Sequence, residues 1–100
     1  MSVPAYTLPN GDLEEQCAVL YHMFLRVLGE ATGHSPESVE PLSELFGSFG
    51  CLVRSGEELF SLTIAKQSRN VTITQSERNG KNSKSVNVKA LLEERVIRDF

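Results

Sequence analysis

Three apolar–polar alternations follow one another in residues 49–74, FGCLVRSGEELFSLTIAKQSRNVTIT. Alternation with a period of two is typical of strands that are buried on one face only, and the Gly, Ser and Asn clusters between the runs have the composition of tight turns. Strands joined by such short turns form an antiparallel meander. The predicted strands are 49–54, 59–66 and 71–75.

A helical period precedes this meander. Asp12 offers a side-chain oxygen for the amino terminus of a helix, and Glu15 follows at the spacing of a capping box. Apolar residues then recur with a period near 3.6, which predicts a long helix over 13–30.

Four further segments complete the chain. An edge strand is expected over 2–8, where a proline lacks the amide donor. Ser-Pro-Glu at 35–37 has the form of a helix start, so a short helix is expected over 36–46, although a second proline inside it opposes that interpretation. Residues 75–85 are polar and predict a solvated turn, and helical spacing resumes over 86–100.

The composition describes a single soluble domain, 1–100. Apolar residues make up 40% of the chain and charged residues 23%, with a formal net charge of −3, which allows a small core and disfavours disorder. No apolar run approaches the ~20 residues of a membrane span, and the amino terminus lacks a signal peptide, so a cytoplasmic location is expected. The predicted fold class is α+β, with an amino-terminal and a carboxy-terminal helix packed on a three- to four-stranded antiparallel meander.

Charge is distributed unevenly. Residues 1–50 carry one base and seven acids, giving −6, whereas 51–100 carry nine bases and six acids, giving +3. A basic surface for an acidic partner is one interpretation, and an ordinary solvated surface is the other.

The order of elements is also that of a double-stranded RNA-binding domain, which makes RNA binding an alternative function. The candidate basic residues are Arg69, Arg78, Lys81, Lys84 and Lys89.

The helix over 13–30 is apolar around most of its circumference. Within 17–28, CAVLYHMFLRVL, only His22 and Arg26 are polar. A helix on one face of a small sheet needs an apolar arc of about 100°, so apolar surface is left over. Two interpretations follow: the helix associates with a second chain, which we favour, or it is a central core helix.

Motifs of catalysis and metal binding do not occur in the sequence. There is no phosphate-binding glycine loop, no zinc or calcium pattern and no nucleophile elbow. The two cysteines lie in separate apolar runs, as reduced core cysteines do. We therefore expect a protein that is not an enzyme and that binds neither cofactor nor metal.

The order of elements resembles the Roadblock dynein light-chain domain family, which includes Ragulator scaffold subunits and partners of small GTPases. The resemblance runs from VPAYT at 3–7 and Asn-Gly-Asp at 10–12 through the long helix to the meander, with the phrase CLVRSGEELF at 51–60. The first helix and first strand of that family have no counterpart here, and the linker 31–48 is longer.

This resemblance implies a dimer in which the long helices pack together and the following strand pairs across the two-fold axis. It also implies a non-enzymatic dimerising adaptor or scaffold, homomeric or heteromeric, for a motor, a small GTPase or a membrane-tethered complex, cytoplasmic or peripheral to a membrane through its partner. The alternative is an unrelated α+β interaction module, such as a secretion chaperone or a viral host-binding protein. The implied interface residues are Leu20, Tyr21, Phe24, Leu28, Phe49, Cys51 and Val53.

Overall fold

The computed structural model describes residues 4–77 and 85–100. These residues form six strands and two helices in an α+β arrangement, which confirms the predicted fold class with a sheet of six strands rather than three to four. The strands are β1 (Tyr6–Thr7), β2 (Ser38–Val39), β3 (Ser43–Leu45), β4 (Ser48–Ser55), β5 (Glu58–Ala65) and β6 (Asn70–Glu77), and the helices are α1 (Leu13–Thr32) and α2 (Ser85–Asp99). Most of the expected polar turn, at 78–84, lies outside the described residues.

Helix α1 begins and ends at the signals in the sequence. The Asp12 carboxylate accepts a hydrogen bond from the Glu15 amide at 3.2 Å, as the capping-box spacing predicts. Gly33 ends the helix in the left-handed region, with φ of 81°, and its amide donates to the Gly29 carbonyl at 2.9 Å. The helix predicted over 13–30 is therefore confirmed, with its end two residues later.

The meander of β4, β5 and β6 forms the centre of an antiparallel sheet. Its register places Cys51 opposite Leu62 and Leu62 opposite Ile73, so apolar residues of the three strands share one face. The strand order is β1-β6-β5-β4-β2, and β3 also pairs with β4. The predicted antiparallel meander is confirmed.

Residues 36–46 do not form the expected helix. Strands β2 and β3 lie here instead, with Ser38 opposite Arg54 and Ser43 opposite Gly50 on the outer edge of β4. Pro41 interrupts the pairing between them, since it cannot donate a hydrogen bond and would block a helical turn. The helix prediction was wrong because the free edge of β4 offers this segment a pairing partner that its local sequence does not reveal.

Strand β1 forms the opposite edge of the sheet. Tyr6 and Thr7 pair with Val71 and Asn70, which places β1 at the edge, as expected within 2–8. The Arg69 guanidinium donates to the Pro9 and Gly11 carbonyls at 2.8 and 3.1 Å and to Gln16 Oε1 at 2.7 Å. This side chain ties the link between β1 and α1 to the start of β6.

Both helices pack on the same face of the sheet. Helix α1 contacts β5, and α2 contacts both α1 and β6. In the described part of the chain, the buried apolar residues form one cluster between these layers. Its members are Leu8, Cys17, Leu20, Phe24, Val27, Leu28, Phe49, Cys51, Val53, Phe60, Leu62, Ile64, Val71, Ile73, Leu92 and Val96.

Candidate interaction surface

The residues implied as a dimer interface lie in the core of the single chain. Leu20, Phe24 and Leu28 on α1 have no exposed surface at all. On β4, Phe49, Cys51 and Val53 are buried on the side that faces the helices. Tyr21 is half-buried, and its hydroxyl donates to the Glu40 carbonyl at 2.9 Å. A second chain cannot reach the six buried residues without displacing this core, so the expected location of the interface needs correction.

The surplus apolar surface of α1 has a partner within the chain. Leu92 and Val96 of α2 are buried in the cluster that contains α1, and Leu42 packs against it from the link between β2 and β3. The edge of β4 that the resemblance leaves for pairing across a two-fold axis is occupied by β2 and β3. Of the two interpretations of α1, its buried residues therefore fit the central core helix.

The candidate basic surface is only partly described. Arg69 is half-buried and hydrogen-bonded to the chain, and Lys89 lies 3.8 Å from Glu93 on α2. Arg78, Lys81 and Lys84 lie outside the described residues. The two described cations thus have partners in the chain.

The sheet has a second face that no described element covers. Opposite residues in an antiparallel pair point to the same side, so the register assigns its members without ambiguity. We call this surface the open face: Ser48, Gly50, Leu52 and Arg54 of β4, Leu59, Ser61, Thr63 and Ala65 of β5, and Thr72, Thr74 and Ser76 of β6. Most members are small or hydroxylated, as suits a sheet surface in contact with water.

Two leucines interrupt this polar surface. Leu52 and Leu59 are 40% and 39% exposed and lie diagonally across β4 and β5. They line a cavity of about 400 Å³, which we call the distal cavity, together with five polar or charged residues: Ser38, Glu40, Arg54, Glu57 and Ser76. Leu52 also lines a second cavity of about 430 Å³ that extends towards Leu45 and Phe46. An apolar path therefore runs along the open face.

The path ends at the turn between β3 and β4. Phe46 has φ of 51° and is 96% exposed, Gly47 has φ of 79°, and Leu45 is 64% exposed. Positive φ at both central residues is the geometry of a type I′ hairpin turn, where Asn, Asp or Gly are favoured at the first position. A bulky side chain is disfavoured there. We call Leu45 and Phe46 the hairpin tip.

The surroundings of the hairpin tip are balanced in charge. Lys66 forms an ion pair with Glu44, and the Lys66 ammonium lies 5.6 Å from the centre of the Phe49 ring. Further along the open face, Ser61 and Thr74 share a hydrogen bond between their hydroxyls. The tip is thus an apolar projection beside a neutralised ion pair.

The titratable groups near the core are held in their neutral forms. Burial raises the pKa of the Cys51 thiol to about 11, although a hydrogen bond with the Leu62 backbone opposes this effect. Burial also raises the pKa of Cys17 and of Tyr21. Both cysteines are unpaired and buried, so neither presents a reactive thiolate.

The described residues contain neither a metal-binding cluster nor a membrane-spanning helix. Across 4–77 and 85–100, no group of three or more His, Cys, Asp or Glu residues could hold a metal ion. Neither helix of this part of the chain is long and apolar enough to cross a membrane.

Comparisons with known proteins add no assignment. No protein-family model, curated protein or solved structure matches the chain. The function of the open face is therefore inferred from its residues alone.

Sequence reasoning missed the residues that distinguish the open face, although a signal for them exists. In the alternating pattern of β4 and β5, Cys51, Val53 and Phe60 stand at the apolar positions. Leu52 and Leu59 stand at the alternate positions, where polar residues are expected. Phe46 precedes a glycine in a turn between two strands, where a small polar residue is expected. The turn could not be recognised while 36–46 was expected to be a helix.

Proposed function

We propose that this chain is a non-enzymatic protein-interaction module that binds its partner through the open face and the hairpin tip. The dimerising adaptor or scaffold implied by the family resemblance is a narrower form of the same proposal, with the binding surface on the other side of the sheet. The observation that carries it is the position of Phe46, a residue that is 96% exposed on a backbone of positive φ.

The fold itself gains nothing from a phenylalanine at this position. A residue other than glycine in the left-handed region carries strain on the order of 1 kcal/mol or more, and a bulky side chain is worse placed than asparagine. An exposed ring also contributes no burial to the core. An aromatic side chain that is both strained and exposed is explained by a partner that buries it, and aromatic anchors of this kind dominate binding energy in protein interfaces.

The rest of the surface fits a protein partner better than an anionic membrane. Binding to anionic lipid relies on uncompensated Lys and Arg beside the inserted residues. The cation near the hairpin tip, Lys66, is paired with Glu44. The open face is polar and carries two exposed leucines, Leu52 near its middle and Leu59 towards one end, and interfaces combine apolar and polar residues in this way.

Photo-crosslinking tests this proposal directly. The chain is expressed in the cells that naturally make it, with benzoylphenylalanine in place of Phe46. A matched control carries the same group in place of Val19, which is 47% exposed on α1 behind the covered side of the sheet. We expect irradiation to give a discrete protein adduct from position 46 and none from position 19. No adduct from position 46, or the same adducts from both positions, would contradict the proposal.

A further inference from the structure

We infer that the occupant of the open face is a second copy of this chain, packed face to face around a two-fold axis that lies in the interface and crosses the strands between Gly50 and Leu52. The inference rests on the proposed function and specifies its partner. Three features of the open face carry it: the positions of tip and cavity, the alternation of large and small residues, and the placement of charge.

The hairpin tip and the distal cavity lie at opposite ends of the same face. Phe46 stands just before β4, and Arg54 and Leu59 line the cavity near the other end of that strand. Eight residues of extended chain span about 26 Å. The axis lies at the row of Cys51, so it places each Phe46 at the level of Gly56 in the other subunit, where the distal cavity is lined by Glu57 and Leu59. The cavity, with a volume of about 400 Å³, has room for an aromatic ring and offers it two leucines.

The same rotation brings large residues opposite small ones. Leu52 lies one register row from Gly50 on β4, so each Leu52 faces Gly50 of the partner subunit. On β5, Leu59 and Ala65 stand at the two outer rows, so each Leu59 faces Ala65 of the partner subunit. Alternation of large and small side chains is what lets two sheets interdigitate at a spacing of about 10 Å. The open face is therefore complementary to itself in this orientation.

Charge does not oppose the pairing. The rotation places Arg54 against Ser48 of the partner subunit, because these residues occupy the two outer rows of β4. Glu40, whose amide donates to the Leu52 carbonyl, comes to face Ser43 of the partner subunit. Neither charged side chain meets its like, which would have been repulsive in a partly desolvated interface.

The size of the face sets the expected strength. Four strands at a spacing of about 4.8 Å and about 26 Å in length cover roughly 500 Å² on each subunit. The total of roughly 1,000 Å² is at the lower limit for specific association. We expect a reversible dimer that forms at roughly 10–100 µM, a range typical of small interfaces with one good anchor on each side.

Sedimentation equilibrium of the purified full chain from 10 to 500 µM tests the inference. The wild type is expected to show a reversible monomer–dimer equilibrium. Phe46→Asn removes the ring and suits the turn, so the fold is retained and the dissociation constant rises at least tenfold. Leu52→Lys places two like charges beside the axis and abolishes the dimer, most clearly at low salt. Val19→Asn, a matched change of an exposed apolar residue on α1, leaves the equilibrium at its wild-type value.

The outcomes separate this inference from the proposed function. A chain that is monomeric at 500 µM, or a Phe46→Asn variant that dimerises like the wild type while keeping its circular dichroism spectrum, overturns the second copy as occupant. If crosslinking at position 46 then yields an adduct that is not twice the mass of the chain, the interaction module stands with a different partner. If crosslinking yields no adduct, both fail. An adduct of twice the chain mass with a concentration-dependent dimer supports both.

Discussion

The two faces of the sheet are made by the same strands but differ in exposure and in composition. On the side of the helices, Val53 and Phe60 have no exposed surface, whereas Leu52 and Leu59, which directly precede them in the chain, are about 40% exposed on the open face. The covered face is aliphatic and aromatic, and the open face is mostly serine and threonine. A difference of one position in the chain therefore separates residues that hold the fold from residues that are available to a partner.

The largest expected contrast is between truncations on either side of the sheet. Phe24→Ala removes a ring with no exposed surface from the covered side and should lower the free energy of unfolding by about 3–5 kcal/mol. Leu59→Ala removes a side chain that is 39% exposed on the open face and should lower it by less than about 1 kcal/mol. Urea denaturation of dilute, monomeric protein measures both. Equal losses would mean that the open face also supports the fold.

A second contrast concerns two cations outside the apolar core. Arg69→Ala removes the guanidinium that donates to Pro9, Gly11 and Gln16, and should destabilise the protein by about 2–3 kcal/mol. Lys66→Ala removes the exposed ion pair with Glu44 and should change stability by less than about 1 kcal/mol. Thermal unfolding of both variants measures the two losses of stability. The variant Arg69→Lys, which keeps the charge but not the guanidinium, tests whether the hydrogen bonds to the backbone carbonyls explain the larger loss. We expect Arg69→Lys to recover only part of the loss.

The covered face also predicts a dependence on alkaline pH. Burial raises the pKa of Cys51 from 9.0 to about 11 in the native protein, so the native thiol keeps its proton at pH values where the unfolded chain has lost it. The resulting stabilisation is complete below pH 9 and is lost as the pH rises from 9 to 11, by roughly 3 kcal/mol in all. Urea denaturation of the wild type and Cys51→Ala should show the difference in stability between them shrinking over this interval. A difference that stays constant would contradict the buried thiol as its source.

The smallest expected effect lies on the open side and has the opposite sign. Phe46→Asn relieves a bulky side chain at φ of 51° and removes almost no buried surface, so it should raise the free energy of unfolding by about 0.5–1 kcal/mol. Leu45→Thr, a neighbouring change at ordinary backbone geometry, should have an effect closer to zero. Chemical denaturation at low protein concentration resolves the two. Destabilisation by Phe46→Asn would show that the ring supports the fold after all.

The sequence predicts those parts of the fold whose signals are local. Helix α1 is fixed by the Asp12 cap and a long apolar period, and β4, β5 and β6 by alternation over eight residues each. The prediction fails over residues 36–46 because Ser35, Pro36 and Glu37 have the sequence pattern of a helix start although no helix forms there. What decides their structure is the vacant edge of β4, which belongs to a different part of the chain.

The sequence predicts that the protein has an interaction surface, but it does not predict where that surface lies. The excess of apolar residues on α1 is real, but the sequence does not show that α2 and Leu42 would cover it. Burial of Phe24 and Leu28 by elements that follow much later in the chain is a non-local property. The parity of Leu52 and the strain at Phe46 become visible only once the strands and the turn have been assigned.

The short strand β1 has a consequence for the order of folding. Thr7 and Asn70 are 63 positions apart, whereas β4, β5 and β6 are joined by turns of a few residues. Closing the long loop carries an entropic penalty before any contact compensates for it, so we expect the meander to form early and β1 to dock late. The amides of Ala5 and Leu8, which donate to Val71 and Arg69, should then lose protection from hydrogen exchange before those of β5. Each such opening releases the first strand from β6 while the meander stays intact, which is the route by which two molecules can exchange that strand.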